Sequence, residues 1–227
     1  MPFDPDTAIG EGSGKFPHTQ HSAMASLRSD QALVRERALE TIIAAYWKPA
    51  YKYLRIQWNR SNEDAKDLTQ GFFAQAVEKG WLAAYDPTRG SFRSYLRTCL
   101  DGYVAHRDEA ATRLKRGGGA AMLSLDFEAA EGELRELPIA NGLSTEEYFR
   151  REWIRHMFST AVDQLHSECE QASKQNHFFL FQSYDIDETA ASYQQMARQL
   201  NLPVTTVTNH LAWARRRFRQ IILDLVS

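Results

Sequence analysis

The sequence predicts an all-α protein of two helical domains joined by a flexible acidic linker. Apolar residues recur every three or four positions along most of the 227-residue chain, and no long stretch alternates with the period of two that a β-strand requires. A glycine run at residues 117–119 and an acid-rich stretch after it separate two such regions. We therefore expect a mobile tail at residues 1–15, a first domain at 16–119, a linker at 120–144 and a second domain at 145–227.

The composition argues against several classes of protein. The formal net charge is −2, so any surface for nucleic acid must be local. Cys99 and Cys169 form no CxxC pair, and the histidines are scattered, so neither a metal site nor a disulfide framework is indicated. No acid, base and nucleophile occur at diagnostic spacing, so we expect a non-enzyme without a cofactor. No signal pattern begins the chain and no apolar run approaches the ~20 residues of a membrane span, so we expect a soluble cytoplasmic protein.

Three helices are predicted in the first domain. The first is expected to be interrupted at Pro49, because proline lacks a backbone donor. Ser61 is expected to cap a second helix that ends at Gly80, and a turn at residues 86–90 leads to Ser91, which caps the third. Their apolar stripes contain Leu33, Leu39, Ile42, Ile43 and Tyr46; Ala65, Leu68, Phe72 and Ala76; and Phe92, Tyr95, Leu96, Cys99 and Tyr103.

Residues 120–144 contain few aromatic residues, many acids and Pro138, a composition typical of a solvated linker. Helical periodicity returns at Thr145. The stripe of this next helix contains Phe149, Trp153, Met157, Ala161 and Leu165. A further helix is expected to end near residue 182.

Residues 192–219 predict two amphipathic helices joined by a tight turn. Ser192 and Gln195 have the spacing of a capping box at the start of the first helix. Asn201 tolerates the left-handed backbone that ends a helix, and Pro203 suits the start of the next one. The buried faces are expected to contain Tyr193, Met196, Ala197 and Leu200 in the first helix, and Val204, Val207, Leu211, Ala214, Phe218 and Ile221 in the second. This arrangement is typical of a helix-turn-helix that binds DNA.

The outward face of the second helix supplies candidate DNA contacts. Near its N-terminus, where such a helix contacts base edges, lie Thr205, Thr206, Thr208, Asn209 and His210. Arg215, Arg216 and Arg217 belong to a region of five arginines and no acid, residues 192–223, which suits a phosphate backbone. A purely structural role stays open, because packed amphipathic helices are common and arginines complement the dipole at a helix C-terminus.

Residues 63–100 combine an acidic helix opening, an apolar-aromatic face and the turn and helix DPTRGSFRSYL. In this order they resemble the core-binding and promoter-opening segment of extracytoplasmic-function sigma factors, the small two-domain initiation subunits of bacterial RNA polymerase. Residues 192–218, SYQQMARQLNLPVTTVTNHLAWARRRF, resemble the element of that family that binds the −35 promoter region. Residues 16–19 and the KRGGG sequence at 115–119 are similar to one large subgroup.

The resemblance implies a non-catalytic subunit that contacts promoter DNA and the β′ clamp helices and β flap of core RNA polymerase. Asp64, Asp67 and Gln70 would lie on the helix that docks on the clamp, although an acidic first turn also complements the helix dipole. Residues 81–89 would match the loop that captures an unpaired base, and the linker would extend towards the polymerase active centre. The helix that approaches the −10 element would present Arg93, Arg97, Tyr103, His106 and Arg107.

Lys66 stands where the family usually has an acid, which weakens the negative face intended for the clamp. Thr69 lies at i+3 from it, and a phosphate there would add a charge of roughly −1.5 to −2 and restore negative potential. At this point the sequence resembles sigma factors that are activated by a Ser/Thr kinase, so Thr69 is a candidate phosphorylation site; control by an anti-sigma factor stays open. The alternative is an ordinary helical threonine whose hydroxyl bonds to the Ala65 carbonyl.

The recognition helix also departs from the family, because Thr208 and His210 replace basic residues, so we expect low DNA affinity without polymerase. Asp108 and Glu109 likewise stand where basic residues are common. Two other functions stay open: a stand-alone helix-turn-helix regulator whose N-terminal domain senses a ligand or partner, and a protein-interaction adaptor or anti-activator that kept the sigma fold and lost promoter recognition. A sigma factor binds core polymerase and supports run-off transcription, a regulator shifts DNA alone, and an adaptor does neither.

Overall fold

The structure is a computed structural model that describes residues 21–111, 125–136, 143–187 and 192–226. The regular elements within these ranges are all helical, which confirms the all-α prediction. None of the helices described is long and apolar enough to cross a membrane. The predicted tail, the glycine run and Pro138 lie outside the described residues.

The chain forms two compact units whose boundary lies between His156 and Met157, inside one long helix. This boundary differs from the predicted one at residues 144 and 145. The reason is aromatic packing: Phe149 lies edge-on to Tyr53 at 5.6 Å, and Trp153 stacks on Tyr46 at 6.1 Å. The first turns of that helix therefore belong to the core of the N-terminal unit.

The N-terminal unit contains helices that we number in chain order. They are α1 (His21–Ser26), α2 (Ala32–Ile56), α3 (Asn62–Glu78), α4 (Phe92–Ala111), α5 (Phe127–Glu136) and the first part of α6 (Thr145–Gln171). Two 3₁₀ turns, Leu82–Ala84 and Pro87–Arg89, connect α3 to α4. The largest fully buried side chains of the unit include Tyr46, Tyr51, Phe72, Phe73, Phe92, Phe149 and Trp153.

The predicted interruption at Pro49 is wrong, because α2 continues through it. Proline inside a helix costs about 3 kcal/mol or more. Tyr46, Tyr51 and Leu54, on both sides of Pro49, are fully buried, and burial of one large apolar side chain contributes about 1.5–3 kcal/mol. The free energy gained by burial of these three side chains together exceeds the cost of proline inside the helix. Leu33, expected in the apolar stripe, is instead 71% exposed in the first turn of the helix.

The predicted start and end of α3 and the predicted start of α4 agree with the structure. The Ser61 hydroxyl accepts a hydrogen bond from the Asp64 backbone N–H at 3.1 Å. Ser91 accepts one from the Ser94 N–H at 3.2 Å. Gly80 follows α3 with φ +66°, a conformation that favours glycine.

The predicted flexible linker is wrong for residues 127–136, which form α5 and pack against α2. The Phe127 ring lies edge-on to Trp47 at 5.4 Å. Glu131 accepts hydrogen bonds from both Nε and Nη2 of Arg55, at 2.9 and 2.6 Å. From composition alone these acids are expected to be solvated. The cations that pair with them lie about 80 residues away in sequence, so the pairing has no local signal.

The C-terminal unit contains the rest of α6, then α7 (Gln175–Phe181), a π-helical turn (Gln182–Ile186), α8 (Tyr193–Leu200) and α9 (Val204–Val226). Both hydrogen bonds of the predicted capping box between Ser192 and Gln195 are present. Asn201 ends α8 in the left-handed conformation, with φ 52° and ψ 45°, as predicted. The core of this unit contains Ala161, Leu165, Leu180, Phe181, Met196, Val207, Leu211, Ala214, Phe218 and Ile221.

Gly71 on α3 leaves space for Tyr103 of α4, which generates a prediction about stability. A Cβ atom at Gly71 would lie 2.3 Å from the Tyr103 hydroxyl oxygen. We expect Gly71→Ala to lower the free energy of unfolding by about 1–3 kcal/mol, because the buried ring must move. Urea unfolding measures the change.

Two variants test the cause of that change. Gly102→Ala on α4 places a Cβ with no atom within 4 Å, so it should leave stability equal or raise it by about 0.5–1 kcal/mol. Tyr103→Phe should rescue Gly71→Ala, because the next atom of the ring, Cζ, lies 3.5 Å from the added Cβ. Wild-type stability of Gly71→Ala would contradict the explanation.

Candidate nucleic-acid interfaces

A groove of about 480 Å³ opens between the end of α3 and the length of α4. It is lined by Gln75, Lys79, Trp81, Tyr95, Cys99, Gly102, Tyr103, His106 and Arg107. Three of these residues are aromatic and two are permanent cations. The predicted candidates Tyr103, His106 and Arg107 are therefore brought together on one surface.

The cations of this groove lie beside its aromatic rings. The Lys79 ammonium is 5.8 Å from the centre of the Trp81 ring, and the Arg107 guanidinium is 5.8 Å from the centre of the Tyr103 ring. Burial is the main cause that raises the pKa of Tyr95 to about 12, and burial also raises the pKa of Tyr103. Both rings are thus neutral at physiological pH. Neutral aromatic faces next to cations are suited to stack bases and neutralise phosphates of a single strand.

Hydrogen bonds to backbone carbonyls hold the loop that follows α3, residues 81–90. Arg28 donates to the Ala83 carbonyl at 3.2 Å and to the Tyr85 carbonyl at 2.7 Å. The Tyr95 hydroxyl donates to the Trp81 carbonyl at 2.8 Å. Side chains from α4 and from the segment after α1 therefore set the position of the loop and of the Trp81 ring at the groove.

Two predicted DNA-binding arginines of α4 are engaged inside the N-terminal unit, which corrects their assignment. Arg97 forms ion pairs with Asp101 at 2.7 Å and with Glu146 at 3.0 Å. The Arg93 guanidinium lies 4.4 Å from the centre of the Trp153 ring. Of these three arginines, Arg107 is the one whose side chain is exposed.

The predicted base-contacting face of α9 is present in part. Thr205 and Asn209 are exposed, whereas Thr206 and Thr208 are half-buried. The Thr208 hydroxyl donates to the Thr205 carbonyl at 2.9 Å. Thr205 and Asn209 lie about one helical turn apart, on the same side of α9.

His210 does not belong to this face, which corrects another prediction. Its ring stacks on His177 of α7, with centroids 3.8 Å apart and planes 20° from parallel. Burial lowers the pKa of His210. The pKa of His177 is lowered to about 4, first by burial and then by His210 and Lys174. His210 is therefore a neutral packing residue at physiological pH.

The arginines of α9 divide into paired and exposed side chains. Arg215 pairs with Asp185 at 2.9 Å, and Arg217 pairs with Glu168 at 2.6 Å. Arg216 and Arg219 are exposed. The prediction that Arg215, Arg216 and Arg217 all contact phosphates is thus corrected: Arg216 is the one of the three that the fold leaves available.

The acidic face predicted for α3 lies at its first two turns. Asp64 and Asp67 are exposed, and Gln70 is half-buried. Lys66, the base that replaces an acid of the family, forms an ion pair with Glu63 at 3.1 Å. Its charge is balanced within the helix, so Asp67 remains a negative site on this surface.

The structure contradicts Thr69 as an accessible phosphorylation site. The residue is fully buried, and its hydroxyl donates to the Ala65 carbonyl at 2.7 Å. This is the alternative that the sequence left open. Thr69 is buried in the packing of α3, whereas the Lys66 side chain is 26% exposed, so a kinase could reach the Thr69 hydroxyl only if that packing opened.

The residues of the groove and its loop that were not predicted in these roles include Lys79, Tyr95 and Arg28. Tyr95 was assigned to a buried stripe, and it is half-buried with one edge at the groove. Lys79 has a local signal, because a cation two positions before a tryptophan can lie over its ring. Arg28 has no such signal, since it bonds to carbonyls 55 and 57 residues away.

No protein-family model matches the chain, and no curated protein matches its sequence. Among the residues that the structure describes, no group of three or more histidine, cysteine or acidic side chains could hold a metal ion.

The stacked histidines generate a prediction about pH. Because the folded pKa of His177 lies near 4, below the ordinary 6.5, the unfolded chain binds the proton first as the pH falls. The stability contributed by the neutral ring is complete above pH 6.5 and decreases towards pH 4. We expect His177→Phe, which keeps a ring against His210 and Trp213, to reduce the loss of C-terminal-unit stability between pH 7 and 4.5. Urea unfolding at both pH values measures this, and an unchanged loss would contradict it.

Proposed function

We propose that this protein is a sigma factor of the extracytoplasmic-function type, a non-catalytic subunit that binds core RNA polymerase and directs it to a two-element promoter. The observation on which this rests is the groove of Trp81, Tyr95 and Tyr103 beside Lys79 and Arg107. Lys79, Trp81 and Tyr95 lie in the segment, residues 63–100, that resembles the promoter-opening part of the family. Tyr103 and Arg107 follow on the helix that the resemblance assigns to the −10 element. A sigma factor must hold unpaired bases, and stacking on an aromatic ring contributes about 1–3 kcal/mol for each base.

The C-terminal unit supports the second half of this proposal. A three-residue turn joins α8 to α9, and α9 exposes Thr205 and Asn209 in its first turns and Arg216 further along. Polar side chains near the start of such a helix specify base pairs, and arginines position it on phosphates. With Arg215 and Arg217 paired internally, few cations remain for DNA, so the isolated protein should bind a duplex weakly and depend on polymerase.

The acidic face of α3 is the proposed contact with the β′ clamp helices, with Asp67 at its centre. We expect Asp67→Lys to abolish binding to core polymerase and run-off transcription, because reversal of an exposed charge opposes a basic partner. The measurements are co-purification with purified core enzyme and run-off transcription on fragmented genomic DNA.

Glu40→Lys is the matched control, because Glu40 is an exposed acid on α2 and the charge change is the same. It should leave core binding intact, and circular dichroism should show equal helix content in both variants. Wild-type core binding by Asp67→Lys would place the interface elsewhere. A wild-type protein that shifts duplex DNA alone and never binds core would instead be a stand-alone regulator.

Arg216 and Arg217 form a second matched pair. Arg216→Ala should weaken transcription from all −35-dependent promoters alike. It should also reduce the slope of log affinity against log salt concentration by about one, because one phosphate contact is lost. Arg217→Ala should instead lower the free energy of unfolding of the C-terminal unit by about 1 kcal/mol, since it loses the Glu168 pair. Promoter titrations at several salt concentrations and urea unfolding distinguish the two effects. If the affinity of Arg216→Ala depends on salt concentration as steeply as that of the wild type, Arg216 of α9 does not contact the phosphate backbone.

A further inference from the structure

A stripe of cations and aromatic rings runs along one face of α2. It consists of Trp47, Lys48, Tyr51, Lys52 and Arg55, and we call it the α2 stripe. These residues recur at intervals of one helical turn, so the three cations lie in a row over about 10 Å. Alternation of cations with aromatic rings is the chemistry that proteins use for single-stranded nucleic acid.

In this structure α5 covers the α2 stripe, and its side chains occupy both kinds of position. The Phe127 ring packs edge-on to Trp47 at 5.4 Å and lies 5.2 Å from the Tyr51 ring. Carboxylates meet the cations: Glu131 binds Arg55, and Glu133 binds Lys48 at 2.9 Å and Lys52 at 2.6 Å. Phe127 therefore occupies the position that a nucleic-acid base would take against the rings of the α2 stripe. Glu131 and Glu133 occupy the positions that phosphates would take against its cations.

The helical form of α5 depends on this contact. An isolated helix shorter than about 12–15 residues is marginal in water, and α5 has ten residues with Gly132 in its interior. The attachment is local: Phe127, Ala130 and Glu131 are buried, whereas the Glu133 side chain is 42% exposed. A segment of this kind folds when it docks and unfolds when a competitor takes its place.

Release of α5 would leave unbalanced cations. Lys48 and Arg55 would lose their carboxylate partners, whereas Lys52 would keep Glu152 of α6 at 3.2 Å. Trp47 and Tyr51 would lose the Phe127 ring. We propose that the α2 stripe is a binding site for single-stranded nucleic acid and that α5 is an intramolecular competitor that occupies it in the free protein. This site goes beyond the proposed function and does not require polymerase.

The test measures affinity of the full chain for a fluorescein-labelled single-stranded oligothymidylate by anisotropy. All proteins carry Lys79→Gln and Arg107→Gln, so that the groove on α4 contributes little. Phe127→Ala removes the ring that anchors α5 without changing charge, and Ala130→Gln forces α5 away by bulk at a fully buried position, also without a charge change. Both should tighten binding about tenfold, because the binding-competent fraction rises.

Two further comparisons identify the site. Lys48→Gln with Arg55→Gln should remove the gain. Glu128→Gln is the control, because Glu128 is exposed on α5 and forms no ion pair with a residue that the structure describes, so it should leave affinity unchanged. Hydrogen exchange should show loss of protection in α5 alone, with α3 and α4 unchanged, both in the released variants and on oligonucleotide binding.

The outcomes separate this proposal from the sigma-factor function. Released variants that lose α5 protection but bind no more tightly would overturn it, as would a gain that survives Lys48→Gln with Arg55→Gln. If neither Phe127→Ala nor Ala130→Gln exposes α5 to exchange, α5 is a fixed part of the fold and the proposal fails. Core binding and run-off transcription, measured in the protein without these substitutions, decide the proposed function independently.

Discussion

A buried ammonium group organises the N-terminal unit. The Lys52 side chain is only 3% exposed and lies between Glu152 of α6 and Glu133 of α5. An unpaired charge at such depth costs several kcal/mol, so a carboxylate must stay beside it. Glu152, at 2% exposure, is the permanent partner, and this requirement keeps the first turns of α6 with α2. Glu133 is more exposed and can be replaced by another anion, which makes α5 the exchangeable member of the cluster.

Ion pairing within the units divides these arginines into two groups. Arg97, Arg215 and Arg217 have carboxylate partners within their own units, and they stabilise helix packing. Arg107 and Arg216 are exposed and form no ion pair with a described residue, so no carboxylate of the described residues neutralises their charges. A chain with net charge −2 can thus present local cationic sites, because its acids neutralise the cations that packing requires and leave a few others free.

Local signals predicted much of the fold and the exposure of several candidate residues. Caps at Ser61, Ser91 and Ser192 and the left-handed turn at Asn201 were predictable, because each depends on bonds within a few residues. The exposure of Asp67, Asn209 and Arg216 followed from helical periodicity. The pairing of Arg97 and the stacking of His210 did not, since their partners are distant in sequence and any surface arginine or histidine has the same local pattern.

The sequence by itself determined where α3, α4, α8 and α9 begin, because periodicity, caps and turn residues act over one or two turns of chain. The tertiary structure alone decided that α2 continues through Pro49, that residues 127–136 fold on α2, and that Thr69 is inaccessible. In each case the deciding free energy comes from burial or from an ion pair between segments far apart in sequence. Such terms of several kcal/mol exceed the local preferences of about 1 kcal/mol that composition and propensity express.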